Sequence, residues 1–164
     1  REQFYKEIDF MHRKWPDVKK YLVYFQNFTN THEKVEVIRE RYEQAINEPG
    51  VVGINIGTRP DCLPDETIEY LVELSERMHV TVELGLQTTY ETTSDLINRA
   101  HSYELYVETV QRLRKYPKIE IVSSGKQSGR VPILIPTTPG SLIACSYRSR
   151  MTSTFSWVLV KFWK

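Results

Sequence analysis

Apolar residues recur along the chain in two alternating rhythms. In residues 2–14, Phe4, Ile8 and Met11 fall about one helical turn apart, with Trp15 following and charges between them, which predicts an amphipathic helix. Residues 20–26 are a short apolar run read as a strand, opening into the polar loop Asn27 to Thr31. Residues 32–47 return to helical spacing through Val35, Ile38, Tyr42, Ala45 and Ile46, with Thr31 predicted as the N-cap. After the Pro49-Gly50 turn, the β-branched run Val51, Val52, Ile54, Ile56 halts at Gly57, the mark of a buried strand. Pro64 then opens a helix with Asp65 and Glu66 in its first turn and Ile68, Leu71, Leu74 and Met78 on its buried face, matching the positive end of the helix dipole.

Residues 80–86 form the next predicted strand. Val80, Val82 and Leu84 share one face, and Thr81, Glu83 and Gly85 the other. The same alternation puts Gln87 on the side of Glu83, at the exit. A short helix over 93–99, a longer one over 103–115 and a strand over 119–122 complete the pattern. Strands beginning near 20, 51, 80 and 118 are separated by helices, the signature of parallel βαβ units with right-handed crossovers. The fold class is therefore α/β, as an open doubly wound sheet or as part of a (β/α) barrel. Both architectures bind ligands at the carboxyl ends of their strands. Three such exits here are polar: Gln26 to Thr31, Gly57 to Asp61, and Glu83 with Gln87 to Thr89. Pro60 biases Arg59 towards an extended conformation, which aims the Arg59 and Asp61 charges. Arg99 could reach back over these ends as a planar clamp for a carboxylate.

Composition narrows the functions. A formal net charge of +1 over 164 residues argues against a wholesale nucleic-acid surface. No run of eighteen apolar residues exists and the first residues have no signal-peptide core, so no membrane partner is expected. Two isolated cysteines, Cys62 and Cys145, fit a reducing, cytoplasmic setting. No glycine-rich phosphate loop follows any strand. A nucleophilic Cys62 beside His79 or His101 competes with the simpler reading of an inert loop thiol. The four histidines lack metal-ligand spacing, so no metal site is predicted. The average also hides a break: every Asp and Glu lies within residues 1–122, and residues 123–164 carry none.

The segments YLVYFQNFTNTHEKVEVIRERYEQAI, VVGINIGTRPDCLPDETIEYL, VELGLQTTYE and INRAHSYELYVETVQRLRKYPKIEIVS resemble the radical SAM superfamily. The likeness is greatest to its YhcC/YtqA-like subfamily, itself similar to the Elongator catalytic subunit and the coproporphyrinogen dehydrogenases. The resemblance covers residues 1–122. It implies a partial (β/α) barrel binding S-adenosylmethionine (SAM) across its strand ends. In such enzymes a 4Fe–4S cluster cleaves SAM to a 5′-deoxyadenosyl radical. It also implies site residues. Gln26 and Asn30 lie in the loop facing the methionine amino end. Thr58 and Arg59 stand at the ribose-facing exit, where Elongator-like relatives have Glu at the position of Gly57. Gln87 matches a polar cofactor contact, and Arg99 the arginine that pairs with the SAM carboxylate. Glu83 is added from the strand alternation.

Two departures accompany the likeness. The three cluster cysteines of the family would lie upstream of Arg1, and neither Cys62 nor Cys145 matches them. Residues 123–164 replace the family's HLINGLPGE-like motif, and are expected to form a divergent, irregular tail of frame-shifted or foreign origin, with a genuine but divergent edge in which VPILIP is a strand as the alternative. The chain is thus read as residues 1–122 of a radical SAM barrel joined to that tail, inactive alone. Its alternatives are an RNA-binding module or a βα scaffold remnant.

Overall fold

The computed structural model describes residues 2–13, 16–25, 29–125 and 157–162. In chain order the elements are α1 (Glu2–His12), β1 (Lys20–Phe25), α2 (Val35–Ile46), β2 (Val51–Thr58), a 3₁₀ turn (Pro60–Cys62), α3 (Asp65–Ser75), β3 (His79–Gln87), α4 (Glu91–Leu96), α5 (Tyr103–Leu113), β4 (Ile119–Gly125) and β5 (Trp157–Phe162). The strands form one sheet in the order β4-β3-β2-β1-β5, and every neighbouring pair is parallel. The alternating helices and strands expected from the periodicity are present. Of residues 123–164, expected as a tail, 123–125 finish β4 and 157–162 pair with β1. The VPILIP segment and the tail's Lys126, Arg130, Arg148, Arg150 and Lys164, whose charge is one ground of the RNA-binding alternative, lie outside the described residues.

One face of the sheet carries the core. Tyr21, Val23, Phe25, Ile54, Ile56, Val80, Val82, Leu84 and Ile119 pack there against Phe4 and Ile8 of α1, Ile38 and Tyr42 of α2, Leu71 and Leu74 of α3, and Tyr106, Val110 and Leu113 of α5. Burying each Leu or Ile fully stabilises the fold by roughly 1.5–3 kcal/mol before entropy is counted. Since α1, α2, α3 and α5 all share this face, the sheet has the one-sided cover of a barrel arc. A doubly wound sheet is covered on both faces.

The opposite face is mostly polar, and the parallel register aligns it in rows. Tyr24, Asn55, Thr81 and Glu120 are successive neighbours across four strands, and Gly57, Glu83 and Val122 form the next row. Gly53 lies where β2 has no room for a side chain beside its neighbours. A Cβ there would sit 2.6 Å from the His79 carbonyl and 2.7 Å from Leu22 Cδ2. At the amino end of β3, Thr81 Oγ1 donates to Glu120 Oε2 at 2.9 Å, and His79 Nε2 lies 3.1 Å from the same oxygen.

Two helix boundaries differ from the pattern reading, each for a local reason. α2 starts at Val35 with Lys34 at its cap and no side-chain capping bond; the Thr31 hydroxyl is engaged elsewhere, as described below. α4 stops at Leu96 because Asn98 turns left-handed at φ 51°, so Arg99 lies beyond the helix and not on it.

Two outcomes follow. Gly53→Ala should destabilise the fold by about 1–3 kcal/mol, because the clash is with backbone that cannot swing away; the urea midpoint measures it. The Glu120 hydrogen bond raises the His79 pKa above its ordinary value of about 6.5, and His79 lowers that of Glu120 below about 4.5. The His79 contribution is complete below 6.5 and lost as pH rises through the raised value; the Glu120 contribution is present above 4.5 and lost on acidification. The stability difference between wild type and His79→Gln should therefore be largest between about pH 4.5 and 6.5 and vanish in alkali. With half-exposed side chains it should stay below about 1 kcal/mol.

Candidate functional site

The carboxyl ends of β1 and β2 are tied together by side chains of the loop that follows β1. Asn30 Nδ2 donates to the Phe25 carbonyl at 2.9 Å and to the Gly57 carbonyl at 3.2 Å, and its own N–H also reaches Gly57. The Thr31 and Thr58 hydroxyls are 2.5 Å apart, and Thr31 Oγ1 also donates to the Cys62 carbonyl. Thr58 follows Ile54 and Ile56 on the helix-covered face and is buried. Asn30 and Thr58, both expected at a cofactor site, are thus fasteners of the exits. Gln26 lies outside the described residues.

Beyond β2, Arg59 Nε donates to Asp61 Oδ1 at 2.9 Å and its Nη2 pairs with Oδ2. Partial burial pulls the Asp61 carboxyl up, but the hydrogen bond and charge of Arg59 outweigh it and hold the group below the usual range. Cys62 follows, buried, with His32 Nδ1 at 3.5 Å from its sulfur and Asp61 Oδ2 at 3.7 Å. Burial and the neighbouring carboxylate push the Cys62 thiol up, so it stays neutral and is a poor nucleophile. Its histidine neighbour is His32, not His79 or His101.

At β3, Glu83 faces the polar side as the alternation predicts and accepts the Tyr24 hydroxyl at 2.5 Å. Gln87 ends the strand in the left-handed region at φ 65°, where the β3–β4 register also shifts. Such a conformation is uncommon for a residue with a side chain and clusters at ligand sites. Its Nε2 lies 3.6 Å from where a Gly85 Cβ would stand, so the amide lies over Gly85 at ordinary van der Waals distance.

Arg99 is placed by the way α4 stops. The Asn98 N–H bonds the Asp95 carbonyl at 3.1 Å and the Arg99 N–H bonds Ser94 at 3.0 Å. This is the paired bonding of a Schellman motif with Asn at the left-handed position. The guanidinium then folds back over β3: Nε donates to the His101 carbonyl at 2.7 Å, and Nη1 to Leu86 at 3.2 Å and to Thr88. Ser102 caps α5 by accepting from Leu105 N at 3.1 Å, which anchors the other end of the segment.

Between these exits lies His101. Its side chain is 2% exposed and its Nδ1 is 3.7 Å from Asp61 Oδ1, yet neither ring nitrogen has a hydrogen-bond partner. Burial and the Arg99 charge push its pKa down, Asp61 pulls it back, Arg59 lowers it again and the nearby Gly85 backbone, short of hydrogen-bond geometry, raises it slightly, so the ring is neutral at neutral pH.

The structure therefore brings Arg59, Gln87 and Arg99 to one edge, with Asp61 and His101 among them, and sets Glu83 on the polar face. His101 figures in the sequence only as a possible partner of Cys62, and nothing there beyond its closeness to Arg99 marks it as part of this edge. Tyr24 was legible, since the alternation of Leu22 and Tyr24 puts it on the Glu83 side. Such an edge can hold an anionic or polar ligand group. Among the described residues no three His, Cys, Asp or Glu are grouped to hold a metal ion, and a chain with two cysteines does not offer the three thiolates of a 4Fe–4S cluster. Among the described residues no helix is long and apolar enough to cross a membrane.

The model of the radical SAM superfamily matches residues 1–124. YtqA of Bacillus subtilis (strain 168) is 56% identical over 114 residues, 70% of this chain and 35% of that protein. YhcC of Escherichia coli (strain K12) is 43% identical over 98 residues, 59% of this chain and 32% of that protein. The chain thus spans about a third of the length of the curated relatives it matches. No solved structure matches it. The family implies SAM and a 4Fe–4S cluster as cofactors of the parent protein. With its parallel βα sheet and the match over three quarters of its length, this chain belongs to the radical SAM superfamily.

Proposed function

We propose that the carboxyl-end edge of this sheet binds SAM, with Arg99 pairing with its carboxylate. The observation that supports this most is the way Arg99 is held. Three backbone carbonyls fix the guanidinium at the end of β3, so little side-chain entropy remains to be lost when a carboxylate arrives. Gln87, held in a left-handed turn with its amide over Gly85, supplies that amide to the same ligand. Glu83 offers an acceptor from the polar face, oriented by Tyr24. Asn30, Thr58 and Arg59 act one step back. Asn30 and Thr58 hold the β1 and β2 exits in register, and Arg59 braces Asp61.

In the full-length protein we read the same edge as part of a radical SAM enzyme, where a 4Fe–4S cluster on ligands other than these supplies reductive cleavage of SAM. The substrate then meets the polar face of the sheet. No proton or electron step is assigned to the described residues, whose work is to bind and orient.

Titrating the purified chain with SAM and following backbone amide shifts by NMR tests the reading. Saturable binding with a Kd on the order of 0.1 mM is expected, with the largest shifts at Gln87 to Arg99. Arg99→Lys should weaken it about tenfold, since an ammonium cannot reproduce the fork held by the carbonyls and a charge-assisted hydrogen bond is lost. Unchanged affinity in Arg99→Lys would remove Arg99 from the site.

A further inference from the structure

His101 is the buried polar side chain that the binding site leaves without a role. An imidazole with both nitrogens orphaned lowers stability, because each group has given up water and gained nothing. The nearest carboxylate is Asp61, whose Oδ1 is 3.7 Å from Nδ1, just beyond hydrogen-bond range; the Gly85 backbone of β3 also approaches the ring, without reaching hydrogen-bond geometry. The Asp61 Oδ1 already accepts from Arg59 Nε at 2.9 Å, and a carboxylate oxygen has lone pairs for a second donor. The backbone of His101 is committed as well, since its carbonyl holds Arg99 Nε at 2.7 Å. His101 therefore stands between the cation over β3 and the carboxylate over β2.

We propose that His101 is a positioning residue of this edge: when an anionic ligand group engages Arg99, the His101 ring closes a hydrogen bond from Nδ1–H to Asp61 Oδ1 and locks the β2 and β3 exits together. This rests on the SAM reading above and deepens it. The charged groups facing the ring are Asp61 and Arg59 beyond β2 and Arg99 in its own loop, with the Gly85 backbone on β3. A ligand carboxylate drawn to Arg99 offsets one of the two cations beside the ring, and a sub-ångström shift completes the bond. Closure joins Arg59, Asp61, His101 and Arg99 in one connected chain across the exits. A histidine kept only for packing would make a different prediction, because an apolar side chain of similar size fills its space without orphaned nitrogens.

The test uses the full chain as wild type, His101→Leu, His101→Asn and Asp61→Asn, with Tm and SAM affinity measured on each. His101→Leu should keep or raise Tm while weakening SAM binding roughly tenfold, the loss of one hydrogen bond to a charged group. His101→Asn, whose amide lies near the place of Nδ1, should recover part of that affinity. Combining His101→Leu with Asp61→Asn should weaken binding by less than the two single effects together, since both remove one contact. Wild-type affinity in His101→Leu overturns the role of His101 and leaves the SAM site standing. Parallel loss of Tm and affinity in both His101 variants makes the ring structural and also overturns it. Absence of SAM binding by wild type overturns the SAM reading itself, and the positioning role with it.

Discussion

The carboxyl edge of a parallel sheet gathers carbonyl groups whose ladder has run out, and each must find a donor or forfeit about 1–3 kcal/mol if buried. In this chain the donors are side chains of the loops that leave the strands. Asn30 serves the ends of both β1 and β2 through Phe25 and Gly57. Arg99 serves the end of β3 through Leu86 and Thr88. Thr31 serves the turn after β2 through Cys62. The spacing of the exits depends on these few donors, and so does everything presented between them.

That arrangement gives one set of residues two kinds of work. Arg99 is held by backbone carbonyls and is thereby pre-aimed, which is what a clamp for a carboxylate requires. The same carbonyls make it a fastener of β3, so removing its charge and removing its hydrogen bonds are different changes. Arg59 is more specialised: its fork is matched to Asp61, and it contributes by keeping that carboxylate ionised and fixed. The polar face of the sheet has the complementary character. Tyr24 fixes Glu83, and the Asn55 Oδ1 beside them is buried without a partner.

The fold was legible because its signals are periodic. Val80, Val82 and Leu84 at spacing two, and Ile68, Leu71 and Leu74 at helical spacing, leave little choice of element or face, and the thirty-residue recurrence leaves little choice of topology. The polar exits were legible as well, but not what each polar residue does there. Thr31 looked like a helix cap because its position before a helix suits one, and only the approach of Thr58 from another strand, distant in sequence, redirects it. Arg99 looked helical because the apolar pair before it continues a helical pattern. The stop is set by one backbone angle at Asn98, which hydrophobic periodicity does not encode. Gln87 followed the alternation as far as its side chain, while its left-handed backbone gave no sequence sign. In the sequence His101 stood out only as a possible partner of Cys62, because a lone histidine carries no spacing and its significance lies in what fails to touch it.

Orphaned polar atoms are not rare in this chain, which is why their kind matters. Tyr70 and Thr67 each leave a buried hydroxyl without a partner on the helix-covered side. A hydroxyl is a single group on a side chain whose remaining surface is apolar or small, and its ring or methyl still packs. In an imidazole, by contrast, the two nitrogens are much of what distinguishes it from a hydrocarbon, and both are unsatisfied at His101. Selection for stability alone has an easy remedy there, since a leucine fits such a space without stranding either nitrogen. Local choices that run against stability concentrate where binding needs them, and His101 lies between Asp61 and Arg99, at the one edge where all the strand exits meet.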